Sequence, residues 1–539
     1  MWEVAKGVKR TGVRWLASCR YRRVPVLLVY VCVLALAVAC SGSSGSQSSD
    51  TTLNLGLPAD LGGPLDPDTY YDAPGLMIIK NVYEGLVTYE AGTGPKRIVP
   101  KLATEWTESP DGLEYTFKLR RGVKFHDGSD FDSTAVVASF ARRTAVNGGP
   151  AYMLADVASV KTPDPFTAVV TLKQPNTAFL DYLASAYSPV MLSPAGLGQF
   201  AGDDHAQTYL QTHDLGTGPY RLSAAETNQK YTLSEFGDYW GSKPHFATVN
   251  LRVIPDESAQ IIQFQQGQID AITHRPTSAT VGQFRSNPDF KVYNFPSLQN
   301  QELYINPHKG FLTDRDARVA LLEAINVESA MNDLIGLGMA TAARQMSPSG
   351  MVDEPYAQQS IAYDPTRLRE IAAKLPADQK GIEIVYTVDA ADDQLVAERI
   401  GAQLKEAGLE PTVRGVLITE TYDWVGNVDA AQKGPNLYIG QFGPDARTPY
   451  GWSHIAFDED GGLQYFSCPV DGSAELNAKA LETGDLAVYD EVAKRALATG
   501  CWMNIGQRSW TMITRSDLKG MDTAYTVGTP STLQLAALS

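Results

Sequence analysis

Cysteine is scarce in this chain, with five among 539 residues. Cys19, Cys32 and Cys40 belong to the first forty residues, so only Cys468 and Cys501 remain for the rest. No Cys-x-x-Cys pair and no His-Glu-x-x-His occurs, and the seven histidines (His126, His205, His213, His245, His274, His308, His454) are scattered. Spacing therefore spells no metal site, and these histidines read as surface or turn residues. Basic charge is also short: 45 Lys+Arg face 61 Asp+Glu, a balance that disfavours nucleic acid. After residue 46 there is no low-complexity run, no repeat of solenoid period and no apolar stretch of membrane-spanning length. No Gly-Lys-Ser/Thr phosphate loop is present. Ser516-Asp517-Leu518-Lys519 fits the Ser-x-x-Lys acylation pattern, but without a downstream Lys-Thr-Gly it reads as chance.

What is present begins with Lys6, Lys9, Arg10, Arg14, Arg20, Arg22 and Arg23 ahead of an apolar run from Val24 to Ala39. A helix of that length spans roughly 24 Å, short of the roughly 30 Å of bilayer hydrocarbon, so 1–39 is expected to be a cleaved export signal. Its end, Ala37-Val38-Ala39-Cys40, resembles the bacterial lipobox, which implies a lipid-modified Cys40 and a tether over 40–50 rich in serine and glycine. An ordinary signal peptide with a chance cysteine is the alternative. Arg22-Arg23 lacks the flanking pattern of a twin-arginine signal, which leaves the export route open. Removing the seven basic residues and Glu3 of 1–39 leaves 38 Lys+Arg against 60 Asp+Glu, a formal −22. In an oxidising compartment Cys468 and Cys501 are expected to pair, closing a loop of about 34 residues worth roughly 3–4 kcal/mol. Two buried thiols are the alternative.

The remaining length suggests two or three domains, and 44% hydrophobic content supplies their cores. Thr116–Leu119, Ala168–Leu172 and Tyr231–Ser234 have strand character, and Ser133–Arg143 has helical character. Ile382–Val388, Asp392–Ala407 and Glu410–Val416 form an expected βαβ unit, with Leu395, Ile400 and Leu404 as the helix's apolar positions and Gly408 as its stop. A further helix is expected from about Asp314, with Val319, Leu322 and Ile325 at helical spacing. The mixture indicates α/β or α+β.

Residues 102–143 run from Leu102-Ala103-Thr104-Glu105-Trp106 through Ser109-Pro110-Asp111-Gly112 and Phe117-Lys118-Leu119-Arg120 to Val123-Lys124-Phe125-His126-Asp127-Gly128 and Ser139-Phe140-Ala141-Arg142-Arg143. This segment closely resembles the extracellular solute-binding proteins of the dipeptide/oligopeptide class. The likeness continues in Leu65-Asp66-Pro67, Asn81-Val82-Tyr83-Glu84-Gly85-Leu86, Gly216-Thr217-Gly218-Pro219-Tyr220, Asp238-Tyr239-Trp240, Gly267-Gln268-Ile269-Asp270 and Tyr304-Ile305-Asn306. It implies an α/β, two-lobed periplasmic-binding-protein-like fold (class II) with an extra domain inserted in the first lobe. The implied division is lobe I over 50–75, 205–300 and 505–539, the inserted domain over 76–204, and lobe II over 301–504. Crossings between the lobes are expected near Ser297–Glu302 and Gly500–Arg508. The implied role is that of a monomeric, non-enzymatic, lipid-anchored binding protein on the outer face of the cytoplasmic membrane. It would need no cofactor and would pass short peptides to an ABC permease, whose ATPase subunits would supply the nucleotide chemistry.

Leu437-Tyr438-Ile439-Gly440-Gln441-Phe442-Gly443-Pro444-Asp445 resembles the family's strand-then-Asp segment. The resemblance assigns the ligand's α-ammonium to Asp445, backbone pairing to the edge at Gly443, and an aromatic backing to Phe442. It also puts Arg447 near a ligand carboxylate and Gly62 on a second backbone edge. The plain alternatives are a turn aspartate, a core phenylalanine and a solvated arginine. Other ligands carried on this fold are haem, nickel and oligosaccharides, and a serine acyl hydrolase using Ser516 is the remote enzymatic alternative.

Overall fold

The computed structural model describes residues 51–539 except 274, 344, 353–355, 357–360, 529 and 530. The expected signal, Cys40, the tether and His274 lie outside the described residues. Among the described residues no helix is long and apolar enough to cross a membrane.

Alternation and β-branched composition select strands where the sequence indicated them: Glu114–Leu119, Thr167–Leu172 and Lys230–Glu235. In Glu114–Leu119 the alternate residues Tyr115, Phe117 and Leu119 are buried, so one face of a four-stranded antiparallel sheet is apolar. The helix Ser133–Val146 covers that face with Ala135, Val136 and Phe140. Asp132 caps this helix by accepting from the Thr134 amide, and Asn147 ends it in a left-handed conformation. Asp111-Gly112 and Asp127-Gly128 make the turns around this sheet, with φ of 67° and 88° at the glycines, values that a residue with a Cβ rarely adopts.

An eleven-stranded mixed sheet runs through both lobes. Glu410–Val416, Gly381–Thr387 and Leu437–Phe442 lie at one end, parallel to one another. Ala271–Ile272, Thr52–Leu57 and Thr248–Val253 are parallel toward the other end, followed by two antiparallel strands, Lys230–Glu235 and Tyr220–Glu226. Two long antiparallel strands, Phe290–Ile305 and Trp502–Arg515, join the halves. At about 3.3 Å per residue each spans some 45–50 Å, long enough to serve both lobes. Their register breaks between Pro296 and Asn300 and again between Gln301 and Glu302.

The βαβ unit consists of Gly381–Thr387, the helix Ala391–Glu406 and Glu410–Val416. Its helix buries Val396, Ala397, Ile400 and Leu404, whereas Leu395 is exposed. Ile400 and Leu404 are buried as expected, and only the first expected position is off by one residue, because Val396 and Leu395 are both apolar neighbours that only packing separates. The next correction concerns histidine: His126 is buried, its Nε2 2.9 Å from the Gly218 carbonyl oxygen and its Nδ1 against Asp214. Cys468 and Cys501 form a disulfide, with Cα atoms 6.4 Å apart.

Candidate functional site

Between the lobes lies a cavity of about 390 Å3. The ends of sheet strands open into it. Leu57 closes the Thr52–Leu57 strand, Thr387 closes Gly381–Thr387, and Gln441 and Phe442 close Leu437–Phe442, with Gly443 directly after it. Ligands of open α/β sheets bind at such carboxyl ends because the following loops, freed from pairing, can present side chains and amides.

Asp445 follows the Leu437–Phe442 strand, and its carboxylate accepts the Tyr152 hydroxyl at 2.8 Å and the Tyr71 hydroxyl. Tyr71 lies just before Asp72, the N-cap of the helix Ala73–Val82, and Tyr152 sits in the 3-10 turn Gly149–Leu154. Two further rings back them: Tyr187 lies 4.7 Å from Tyr71 and Tyr182 lies 5.7 Å from Tyr152, centroid to centroid. No arginine or lysine among the described residues pairs with Asp445. Burial pushes its carboxyl above the usual range, and the two hydroxyls pull part of the way back. Burial and then the Asp445 charge push the phenols of Tyr71, Tyr152 and Tyr187 up as well. Tyr71, Tyr187, Phe442 and Gly443 line the cavity, with Asp445 set behind Tyr71.

The second polar group of the wall is built on Arg508, in the crossing strand Trp502–Arg515. Its guanidinium lies 3.3 Å from Asp393 and 3.6 Å from Asp392, in the first turn of Ala391–Glu406, and donates to Gln301 Oε1 at 3.1 Å. Gln441 Nε2 donates to Asp393 at 2.7 Å, and the Ser278 hydroxyl donates to Asp392 at 2.7 Å. Burial raises the Asp393 carboxyl, opposed by Arg508, and burial lowers the Arg508 guanidinium, opposed by both acids. Asp393 Oδ2 is buried without a hydrogen-bond partner.

The five expected site residues are only partly gathered. Phe442 and Gly443 face the cavity and Asp445 stands just behind it. Arg447 is buried, with Nε donating to the Gly350 carbonyl, its amide donating to Tyr89 and its own carbonyl accepting Lys96 Nζ at 2.8 Å. Its side chain does not line the cavity. Gly62 is exposed at φ 72° beside Asp72, which does line it. Sequence reading missed Tyr71, Tyr152, Arg275, Asp392, Asp393 and Arg508. No local pattern marks the tyrosines, and Asp392 and Asp393 entered only as the start of the expected helix Asp392–Ala407.

Elsewhere, His454, Asp458 and Asp460 bring ligand atoms within 4.8 Å of one another, a grouping that sequence spacing did not signal. Asp458 already serves Asn477 and the His454 ring. Lys519 Nζ donates to the carbonyl of Ser516 at 2.8 Å, which leaves the Ser516 hydroxyl unactivated by that amine.

Residues 97–463 match the family model described as "Bacterial extracellular solute-binding proteins, family 5 Middle". The probable D,D-dipeptide-binding periplasmic protein DdpA of Escherichia coli K12 is 25% identical over 468 residues, covering 85% of this chain and 88% of that protein. Among solved structures, the periplasmic binding protein DppA of Helicobacter pylori, in complex with peptide STSA, superposes with a TM-score of 0.74 at 22% identity, covering 90% of this chain and 97% of the other. NikZ of Campylobacter jejuni, in complex with Ni(L-His), gives a TM-score of 0.74 at 20% identity over 88% and 96% of the two chains. Both structures share the two-lobed fold, and their bound ligands differ in kind.

Proposed function

We propose that this chain, which belongs to the bacterial extracellular solute-binding proteins, family 5, captures short peptides between its lobes for delivery to an ABC permease. The observation that carries the reading is Asp445: a half-buried carboxylate at the edge of the interlobe cavity that, among the described residues, is held only by neutral hydroxyls. Such a group lacks the counter-ion that would offset its desolvation, and a peptide's α-ammonium supplies one. Tyr71 and Tyr152 then act as the shell that fixes the carboxylate and yields to the incoming cation. The strand end at Gln441–Gly443 offers backbone groups to an extended ligand. A cavity of about 390 Å3 stands at the small end of the roughly 300–1,000 Å3 range for ligand pockets, which suits about two or three residues better than a haem macrocycle. In this reading lobe I holds 50–75, 205–300 and 505–539, the inserted domain holds 76–204, and lobe II holds 301–504.

Asp445→Asn tests the assignment. It is expected to weaken peptide binding by about two to three orders of magnitude with the fold intact, and acetylating the peptide amine should do the same to the parent protein. Because both changes delete one interaction, calorimetry on all four combinations should show losses far from additive. Additive losses would place the amine elsewhere.

The lipobox-like Ala37-Val38-Ala39-Cys40 supports attachment through Cys40 at the outer face of the cytoplasmic membrane. Cys40→Ser should release the protein from washed membranes, and a variant that stays bound after high salt would refute the anchor.

A further inference from the structure

We infer that Arg275 is the residue that receives the carboxylate of the bound peptide. This rests on the peptide reading above and adds to it the opposite end of the ligand. The cavity wall carries four aspartates (Asp72, Asp389, Asp392 and Asp393) and two arginines among its described residues. Arg508 is already committed to Asp392, Asp393 and Gln301. Arg275 is exposed to the cavity and makes no hydrogen bond or ion pair with any described residue. It is therefore the cation with donors to spare, and a guanidinium fork matches a carboxylate in shape as well as charge.

The backbone gives a second, independent reason. Arg275 has φ 41°, in the left-handed region that residues with a Cβ avoid, and it precedes Pro276, which disfavours helical backbone at the preceding residue. The strained residue is held from both sides. Ala271–Ile272 is fixed in the sheet, the Thr273 hydroxyl donates to the Gly56 carbonyl, and Thr277 caps Ser278–Phe284 by accepting from the Thr280 amide. Strain of this kind persists where the surroundings impose it and accompanies functional positions. Here it sets a cationic side chain at the rim of the same cavity that Tyr71, the outer partner of Asp445, lines from another element. A zwitterionic peptide would lie between the two, and the carboxylate would also offset the mutual repulsion of Arg275 and Arg508, which both act on Asp393.

The test uses a mixed pool of di- and tripeptides, half with free C-termini and half C-amidated, captured on the full protein and read by mass spectrometry. The parent protein should enrich free acids over amides at least tenfold. Arg275→Gln should bring that ratio close to one while still retaining the amides as the parent does, and Arg275→Lys should recover part of the preference. Thermal melting of each variant checks that the fold is unchanged. A ratio that survives in Arg275→Gln, or an Arg275→Gln protein that is folded yet loses the amides too, would overturn the assignment while leaving the peptide reading standing. A parent protein that retains no peptide of either kind would overturn both.

Discussion

In the Arg142–Arg143 cluster each guanidinium nitrogen and each carboxylate oxygen has a partner, whereas in the Arg508 cluster the pairs are longer and one oxygen of Asp393 has none. Arg142 grips Asp66 through two nitrogens at 2.6 and 2.8 Å, and Arg143 Nε meets Asp68 at 2.8 Å. The remaining donors go to the carbonyls of Pro67, Tyr187, Ser188 and His205. Both arginines and both aspartates are nearly inaccessible, so this cluster rivets the helix Ser133–Val146 to the segment around Leu65-Asp66-Pro67. At Arg508 the separations are 3.3 and 3.6 Å and the assembly borders a cavity. The closed cluster belongs to the scaffold, and the open one borders the cavity.

Substitutions that separate the two should rank accordingly. Arg143→Ala removes one of the two buried arginines paired with Asp68, leaving Arg142, together with three hydrogen bonds to carbonyls, and should cost about 3–5 kcal/mol of unfolding free energy, measured by denaturant titration. A loss below 1 kcal/mol would mean that the cluster is not the rivet described.

Glu302 takes the comparison to its limit, as an acid with no cation at all. It is fully buried in the crossing strand, accepts only from Asn300 Nδ2 at 2.9 Å, and has Oε2 unpartnered. Burial pushes its carboxyl up to about 8 from a usual 4.5. With the folded value above the unfolded one, the protein is expected to lose stability as pH rises from about 4.5 to about 8, by about 5 kcal/mol. Glu302→Gln should remove that slope. Its melting temperature should equal the parent's near pH 4.5 and exceed it at pH 8, and a pH-independent difference would contradict the assignment.

Arg508→Gln should cost less than Arg143→Ala, about 1–3 kcal/mol, because Asp393 can take up a proton when its partner is lost. An acid whose folded value is raised binds more protons in the native state, so the deficit should shrink as pH falls toward 4 and widen toward neutrality. Equal deficits at pH 4.5 and 7.5 would count against this. The smallest effect is expected from Tyr152→Phe, which deletes one neutral donor to Asp445 in a partly exposed place, for about 1 kcal/mol or less.

Much of the scaffold was legible because its signals are local. Asp111-Gly112 and Asp127-Gly128 need left-handed glycines, Asp132 caps a helix, and Tyr115, Phe117 and Leu119 alternate. Even Leu65-Asp66-Pro67 and Ala141-Arg142-Arg143, quoted as separate motifs, turn out to be the two halves of one ion cluster. The site was less legible because it is assembled from positions hundreds of residues apart. Tyr71 and Asp445 are separated by 374 residues, and Tyr152 and Asp445 by 293. No periodicity links such residues, and a tyrosine carries no mark of facing a cleft. Arg447 shows the converse: its neighbourhood to Asp445 in the chain suggested a shared role, but after Pro444-Asp445 the chain turns and directs the guanidinium to Gly350.

The paired strands Phe290–Ile305 and Trp502–Arg515 also have a mechanical meaning. A single hydrogen-bonded ribbon runs from one lobe into the other, and its regular ladder is interrupted only near Pro296–Glu302. A beam weakened at one cross-section bends there and stays stiff elsewhere. The Cys468–Cys501 bond fixes one arm of that beam at its root, next to Trp502. The pivot should therefore behave as a torsion bar of fixed axis, whose stiffness could be tuned by residues far from any ligand.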